Sequence, residues 1–121
     1  MPAINGPDFI AFQVRDLEAS RRFYTETLGL RVSQQGPPHA VVFETKPIPF
    51  AVREPLVDLD ATDKLGWGVA LWMHVDDADA LYAKLRAEDV TILGEPVDGP
   101  FGRTFTFRDP DGYGITVHDR A

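Results

Sequence analysis

The stretch DFIAFQV, residues 8 to 14, is unusually apolar for a strand that lies between a protein core and water. Alternation along a strand divides its side chains between two faces, with Ile10, Phe12 and Val14 on the first and Phe9, Ala11 and Gln13 on the second. A half-buried strand alternates apolar with polar residues, but only one side chain of the second face is polar. We therefore expect something besides the core to cover this second face.

The chain repeats this pattern once, at a spacing of 61 residues: FIAFQVRDLEAS starts at Phe9 and ALWMHVDDADAL starts at Ala70. Each copy predicts a strand followed by an amphipathic helix with an acidic start. Asp16 is predicted to cap the first helix, and either Asp76 or Asp77 the second.

Three strand-like runs follow each predicted helix: LRVSQ, HAVVFET and IPFAVRE in the first copy, and VTILGEP, RTFTFRD and YGITVHD in the second. The DPDG sequence at residues 109–112 predicts a tight turn. The acidic segment EPLVDLDATDKLG predicts a linker between the copies. The predicted fold is α+β: a single domain over residues 1–121 made of two βαβββ modules, about 1–56 and 66–121, which form a curved, cleft-bearing mixed sheet with helices on its outer face.

Strand alternation also predicts which side chains the helices cover. Besides the first face of DFIAFQV, the covered set contains Ile48, Phe50, Val52, Val69, Leu71, Met73, Val75, Ile115 and Val117. The open face is predicted to carry Pro49, Ala51, Arg53, Ala70, Trp72, His74, Thr116 and His118.

Composition narrows the range of partners. The net charge of −7 disfavours nucleic acid, because binding to phosphates requires a basic surface. It is compatible with a cationic small ligand, although ordinary acidic solubility explains it more simply. The 121 residues contain no cysteine, which excludes disulfides and thiolate chemistry. Neither a signal peptide nor a membrane-length apolar run is present, so we expect a cytoplasmic protein without a membrane partner.

Three segments carry a resemblance to a known family: VRDLEASRRFYTETLGLRV, VDDADALYAKL and FGRTFTFRDPDGYGITVHD. In their order and spacing they resemble the vicinal oxygen chelate superfamily, which includes glyoxalases, extradiol dioxygenases, fosfomycin-resistance enzymes and bleomycin-resistance-type binding proteins. The resemblance extends over essentially the whole chain. It implies a fold that hosts several chemistries.

The resemblance implies a divalent metal held by His and Glu on the open face, but the matching positions here are Phe9, Ala51, Ala70 and Thr116. None offers the imidazole nitrogen or carboxylate oxygen that such a metal requires, so we expect neither a metal nor a cofactor. The alternative is a relocated site. His74 and His118 share the open face, but along their strands they lie roughly 13 Å and 7 Å from the lost ligand positions. The roles of these two residues and of His39 stay open.

Without a metal, the open face predicts an aromatic ligand-binding cleft with a few hydroxyl groups. The segment PFGRTFTFRDPDG also resembles the loop that borders the ligand cleft of the bleomycin-resistance-type binders, which implies roles for Phe101 and Arg103. The predicted ligand-binding residues are Phe9, Arg53, Trp67, Ala70, Trp72, Phe101, Arg103, Thr104, Thr106 and Thr116. Three alternatives stay open: Phe9 and Trp72 could contact a partner subunit, Arg103 could form a surface salt bridge, and Trp67 could lie in the core, at the cleft or at a dimer contact.

The resemblance and the missing metal ligands together indicate a non-catalytic protein that sequesters an aromatic antibiotic or natural product. By analogy within the family, bleomycin-type, mitomycin-type, anthraquinone and enediyne compounds are candidates. Two other hypotheses stay open: a metal-dependent or metal-free enzyme of the same superfamily, and an interaction module. We also expect a homodimer with its clefts near the subunit interface, because contiguous apolar faces are usually covered.

Overall fold

A computed structural model describes residues 2–120 of the chain. The chain divides into two units, and the boundary falls between Ala61 and Thr62. Each unit holds one mixed β-sheet and one principal helix, which confirms the predicted α+β class. No helix within residues 2–120 is both long enough and apolar enough to cross a membrane.

The first unit contains three strands, β1 (Ile10–Gln13), β2 (Ala40–Phe43) and β3 (Phe50–Arg53). The helix α1 (Leu17–Arg22) continues into a π-helical turn (Phe23–Thr27), and a 3-10 turn (Leu59–Ala61) follows the last strand. The sheet has the order β1-β3-β2, in which β1 pairs with β3 in parallel and β2 with β3 in antiparallel fashion. Its core is an aromatic cluster in which the ring of Tyr24 lies 5.3 Å from Phe43 and 5.5 Å from Phe50.

The second unit contains four strands, β4 (Leu71–His74), β5 (Val97–Gly99), β6 (Gly102–Arg108) and β7 (Gly114–His118), with the helix α2 (Ala78–Ala87) after β4. The sheet order is β4-β7-β6-β5, and β4 pairs with β7 in parallel. In both units, the first strand is therefore followed by a helix, and a later strand pairs with the first strand in parallel. The buried side chains of this core include Leu85, Phe105, Phe107, Ile115 and Val117.

The internal repeat is visible in the structure. The strands β1 and β4 start 61 residues apart, and each is followed by a helix that an aspartate caps. The Asp16 carboxylate accepts a hydrogen bond from the Ala19 backbone N–H at 3.0 Å, and Asp77 accepts one from Ala80 at 3.0 Å. The second N-cap is therefore Asp77, which settles the alternative left open with Asp76.

The predicted strand runs LRVSQ and VTILGEP are wrong as strands. Each forms a single β-bridge, Val32 with Phe43 and Ile92 with Phe107. The structure instead has the short strand β5, which the sequence analysis missed. β5 pairs with β6 across a tight hairpin that Gly99 and Gly102 close, and the Gly-Pro-Phe-Gly sequence between the strands is a turn signal that could have predicted it.

Strand alternation is correct for most covered positions and wrong for Val69. Val69 is 75% exposed because its N–H bonds to Gly66 O in a turn, and β4 begins only at Leu71. Ala51 lies, as alternation predicts, on the same face as its exposed register partner Ala11, although its own side chain is only 3% exposed. It lies on the central strand between the register partners Ala11 and Val42, where a methyl group hardly rises above the neighbouring backbones.

The predicted DPDG turn is present. The Asp109 side chain is buried, and its Oδ1 accepts backbone hydrogen bonds from Asp111 at 2.9 Å and Tyr113 at 3.0 Å. Gly112 has φ +98°, a backbone conformation that favours glycine. The turn thus sets where β7 begins relative to β6.

Candidate functional site

The sheet of the second unit exposes one of its faces. Along β4 the exposure alternates: Leu71 and Met73 are half-buried, whereas Trp72 is 48% exposed and His74 is also exposed. The strand register then aligns two rows of side chains across the face. One row contains Trp72, Thr116 and Thr106, and the other contains His74, His118 and Thr104.

Three rings form a cluster on this face. The centroid of Trp72 lies 5.7 Å from Phe101 and 6.0 Å from His118, and the centroids of Phe101 and His118 are 6.1 Å apart. His74 adds a fourth ring, 5.7 Å from His118. We call this cluster, together with the two rows of threonine, histidine and tryptophan side chains, the aromatic face.

Hydroxyl groups line the aromatic face beside the rings. The Thr106 and Thr116 hydroxyl oxygens lie 2.7 Å apart and hydrogen-bond to one another. The Thr104 hydroxyl donates to the Gly102 carbonyl at 3.3 Å. Exposed rings next to hydroxyl groups can hold a planar molecule by stacking and orient it by hydrogen bonds.

The β5–β6 hairpin places Phe101 on the aromatic face. The Phe101 carbonyl accepts a hydrogen bond from the Arg120 N–H at 3.0 Å, and the Asp119 carboxylate accepts one from the Arg103 N–H at 2.8 Å. Between these two bonds Gly102 has φ +91°, and a Cβ on it would meet the Asp119 side chain and lie 2.9 Å from the Arg120 nitrogen. Only glycine fits there without displacing the end of the chain.

Gly102→Ala should therefore destabilise the protein by about 2 kcal/mol or more, because it adds backbone strain to a steric clash. The matched control is Gly99→Ala, at the register partner across the hairpin, where an added Cβ meets nothing within 4 Å. Thermal and urea unfolding of both variants would measure the difference. Equal stabilities for the two variants would contradict this account of the hairpin.

Arg103 lies on the opposite side of β6 from the hydroxyl groups. Its Nε donates to Asp79 at 3.1 Å, near the start of α2, and a terminal nitrogen lies 3.4 Å from Asp98. The hydrogen bond to Asp79 is the main cause of the raised pKa of Arg103. Of the two roles left open for this residue, the structure shows the surface salt bridge and does not bring Arg103 to the aromatic face.

Arg103→Gln should accordingly leave the affinity of the aromatic face for a planar ligand within about twofold of the unaltered protein, since residues outside a contact surface rarely change binding. Calorimetric titration of both proteins with the same ligand would measure this ratio. A loss of tenfold or more would place Arg103 at the ligand.

The remaining predicted residues lie elsewhere. Trp67 is 66% exposed in the turn before β4, with the Lys64 ammonium 5.1 Å from its ring, and Ala70 is exposed directly before β4. In the first unit, Phe9 is exposed directly before β1, and Arg53 ends β3 with its Nε bonded to Glu54 O at 3.2 Å. Of the ten predicted residues, the structure brings Trp72, Phe101, Thr104, Thr106 and Thr116 together.

The segment after β3 contacts part of the second face of DFIAFQV. The Gln13 side-chain oxygen accepts backbone hydrogen bonds from Leu56 at 2.6 Å and Val57 at 3.2 Å. The polar side chain thus holds the segment after β3 against the end of β1, while Phe9 stays exposed.

A family model described as Glyoxalase/Bleomycin resistance protein/Dioxygenase superfamily matches residues 6–117. The chain belongs to this superfamily. Its fold is shared by solved structures over nearly the full length of both chains. TnmS3, an antibiotic binding protein from Streptomyces sp. CB03234, is 26% identical with a TM-score of 0.73, and the match covers 100% of each chain. UcmS2 is 29% identical with a TM-score of 0.74, covering 98% of this chain and 99% of its own. A lactoylglutathione lyase from Agrobacterium tumefaciens, at 19% identity and a TM-score of 0.69, covers 98% and 96% and shows the fold alone.

The glyoxalase/bleomycin-resistance superfamily includes metal-dependent members, so the possible metal ligands matter. Within the part of the chain that the structure describes, no three His, Asp or Glu side chains come together as a metal-binding group. His74 Nδ1 lies 4.0 Å from Asp76, and His39 Nδ1 contacts the Glu54 carboxylate. The four positions where the resemblance places ligands hold Phe9, Ala51, Ala70 and Thr116, and none of them can supply a strong donor.

Sequence reasoning missed the contribution of the two histidines to the aromatic face. Alternation placed His74 and His118 on the same side as Trp72, which was the available signal, but left their roles open. Their ring contacts depend on the exact register of β4 with β7, which the sequence does not reveal. Recesses of about 490 and 520 Å³ lie elsewhere, one beside Tyr82 and Arg86 and one beside Arg31 and Glu44.

Proposed function

We propose that the protein binds an aromatic antibiotic or related natural product on the aromatic face and sequesters it without converting it. The carrying observation is the cluster of Trp72, Phe101 and His118, whose partly exposed rings have centroids 5.7 to 6.1 Å apart on one face of the sheet. Large rings kept partly exposed retain apolar surface that a ligand can bury, and a buried aromatic contact stabilises a complex strongly.

The likeness to TnmS3 supports a small-molecule ligand of this class, since that antibiotic binding protein matches the chain over its whole length at 26% identity. Sequestration also agrees with the residues at the metal-ligand positions, because binding alone requires no nucleophile, acid–base pair or metal. An enzyme of the superfamily is the second candidate. The observation that favours it is the pair of imidazoles on the aromatic face, since histidine is the commonest acid–base group near neutral pH.

The proposal is tested by titrating the protein with aromatic antibiotics of the bleomycin, mitomycin and anthraquinone types. Calorimetry should give saturable binding of at least one of them, and the affinity should be unchanged after dialysis against a chelator. Mass spectrometry of the recovered ligand should show the starting compound after prolonged incubation. Ligand conversion would favour the enzyme, and failure of every compound to bind would contradict the proposal.

We also propose that the protein is cytoplasmic and forms a homodimer. The homodimer is supported by large apolar side chains that are exposed in the single chain, such as Leu56, Val57, Trp67 and Val69. Sedimentation equilibrium at micromolar concentration should give twice the chain mass of 13.5 kDa. A species of 13.5 kDa under those conditions would contradict the dimer.

A further inference from the structure

The structure around His118 defines which atoms of the proposed ligand site donate hydrogen bonds and which accept them. His118 lies at the centre of the aromatic face, with its ring near Trp72, Phe101 and His74. Its Nδ1 lies 2.9 Å from the carbonyl oxygen of Arg120. A carbonyl oxygen can only accept a hydrogen bond, so in this contact Nδ1 carries the proton. In the neutral imidazole, Nε2 is then the acceptor.

Thr104 adds a second acceptor in the same row. It is the register partner of His118 across β6 and β7. The Thr104 hydroxyl donates its proton to the Gly102 carbonyl. The lone pairs of the hydroxyl oxygen can therefore accept a hydrogen bond from a ligand. The row thus presents an imidazole nitrogen and a hydroxyl oxygen that both accept, directly beside the aromatic rings.

From this geometry we infer that the aromatic face selects planar ligands that carry a hydrogen-bond donor on the ring, of the phenol type, and that His118 Nε2 is the group that reads this donor. The inference rests on the proposed function and names the ligand class of that same site. The methyl ether of the same ring places no proton against His118 and leaves the Nε2 acceptor without a hydrogen bond from the ligand, which weakens binding. A ring carboxylate presents only acceptors to the row and is disfavoured for the same reason.

The test compares 2-naphthol with its methyl ether, 2-methoxynaphthalene, by titration of the protein at about pH 8, where model imidazoles are neutral and model phenols keep their proton. The expected result is that 2-naphthol binds about fivefold or more tightly than the ether, the size of one ordinary hydrogen bond. In His118→Phe, which keeps a ring but loses the main acceptor, the ratio should fall to about twofold or less, the part that Thr104 can supply.

The outcomes separate this inference from the proposed function. Equal affinity of both compounds for the unaltered protein would overturn the inference and leave an aromatic-binding face standing. A preference for 2-naphthol that persists undiminished in folded His118→Phe would overturn the assignment to His118. If neither compound binds although an aromatic antibiotic does, the inference fails and the proposed function stands; if the antibiotics also fail to bind, both fail. The ratio in the unaltered protein decides the ligand class even if His118→Phe does not fold, and a Thr104→Val variant, expected to lower the ratio in part, tests the second acceptor independently.

Discussion

Trp72→Ala should weaken the binding of a planar aromatic ligand about thirtyfold or more, equivalent to about 2 kcal/mol. The indole is 48% exposed, and its centroid lies 5.7 Å from that of Phe101 and 6.0 Å from that of His118, so a ligand that stacks in the cluster must contact it. Because the side chain is not part of the core, the variant should stay folded. Calorimetric titration measures the affinity, and circular dichroism checks the fold.

Trp67→Ala provides a matched control, since it removes the other tryptophan of the same unit. Trp67 is exposed in the turn before β4, and the contact seen for its ring is with Lys64. Its removal should change the affinity by less than about threefold, the range of a peripheral residue. If the two substitutions weaken binding equally, the ligand site is not confined to the aromatic face. If Trp72→Ala binds normally, the aromatic face is not the ligand site.

Phe107→Ala should lower the free energy of unfolding by about 3–5 kcal/mol. The side chain is fully buried in β6, with its ring 6.0 Å from Phe105, so its removal leaves a cavity in the core of the second unit. Urea unfolding followed by circular dichroism measures the change. A loss below about 1 kcal/mol would mean that this core is much looser than the structure shows.

The matched control for this substitution is Phe101→Ala, six residues earlier in the chain. Phe101 is 56% exposed and belongs to the aromatic face, so its truncation should lower the stability by less than about 1 kcal/mol while weakening ligand binding. The two phenylalanines thus separate stability from binding. The reverse pattern, with a large stability loss at Phe101, would show that the ring serves the fold.

The repeat and the strand alternation gave most of the architecture because both depend on local regularities. The 61-residue spacing placed the start of β1 and β4, and alternation separated Leu71 and Met73 from Trp72 and His74. Where the chain leaves regular structure, alternation fails. Val69 was assigned to the covered face although it lies in a turn, and the bridges at Val32 and Ile92 replaced two predicted strands.

The candidate site was harder to predict because its geometry depends on register and on a hairpin. The rows of the aromatic face follow from the pairing of β4 with β7 and of β6 with β7, which no local pattern encodes. Arg103 illustrates the limit. A motif suggested that it borders a ligand, but β6 directs it to the opposite side, where Asp79 and Asp98 accept its hydrogen bonds.

An aromatic ligand on this face should stack against Trp72, and the fluorescence of a single-tryptophan protein, Trp67→Phe, reports on that contact. Titration with an anthraquinone antibiotic should quench its remaining Trp72 emission in a saturable way, with a midpoint that agrees with the calorimetric affinity. The counterpart variant Trp72→Phe, which retains Trp67, should show only the quenching expected from absorption of light by the ligand. Saturable quenching confined to the Trp67-containing variant, or none in either, would contradict the account.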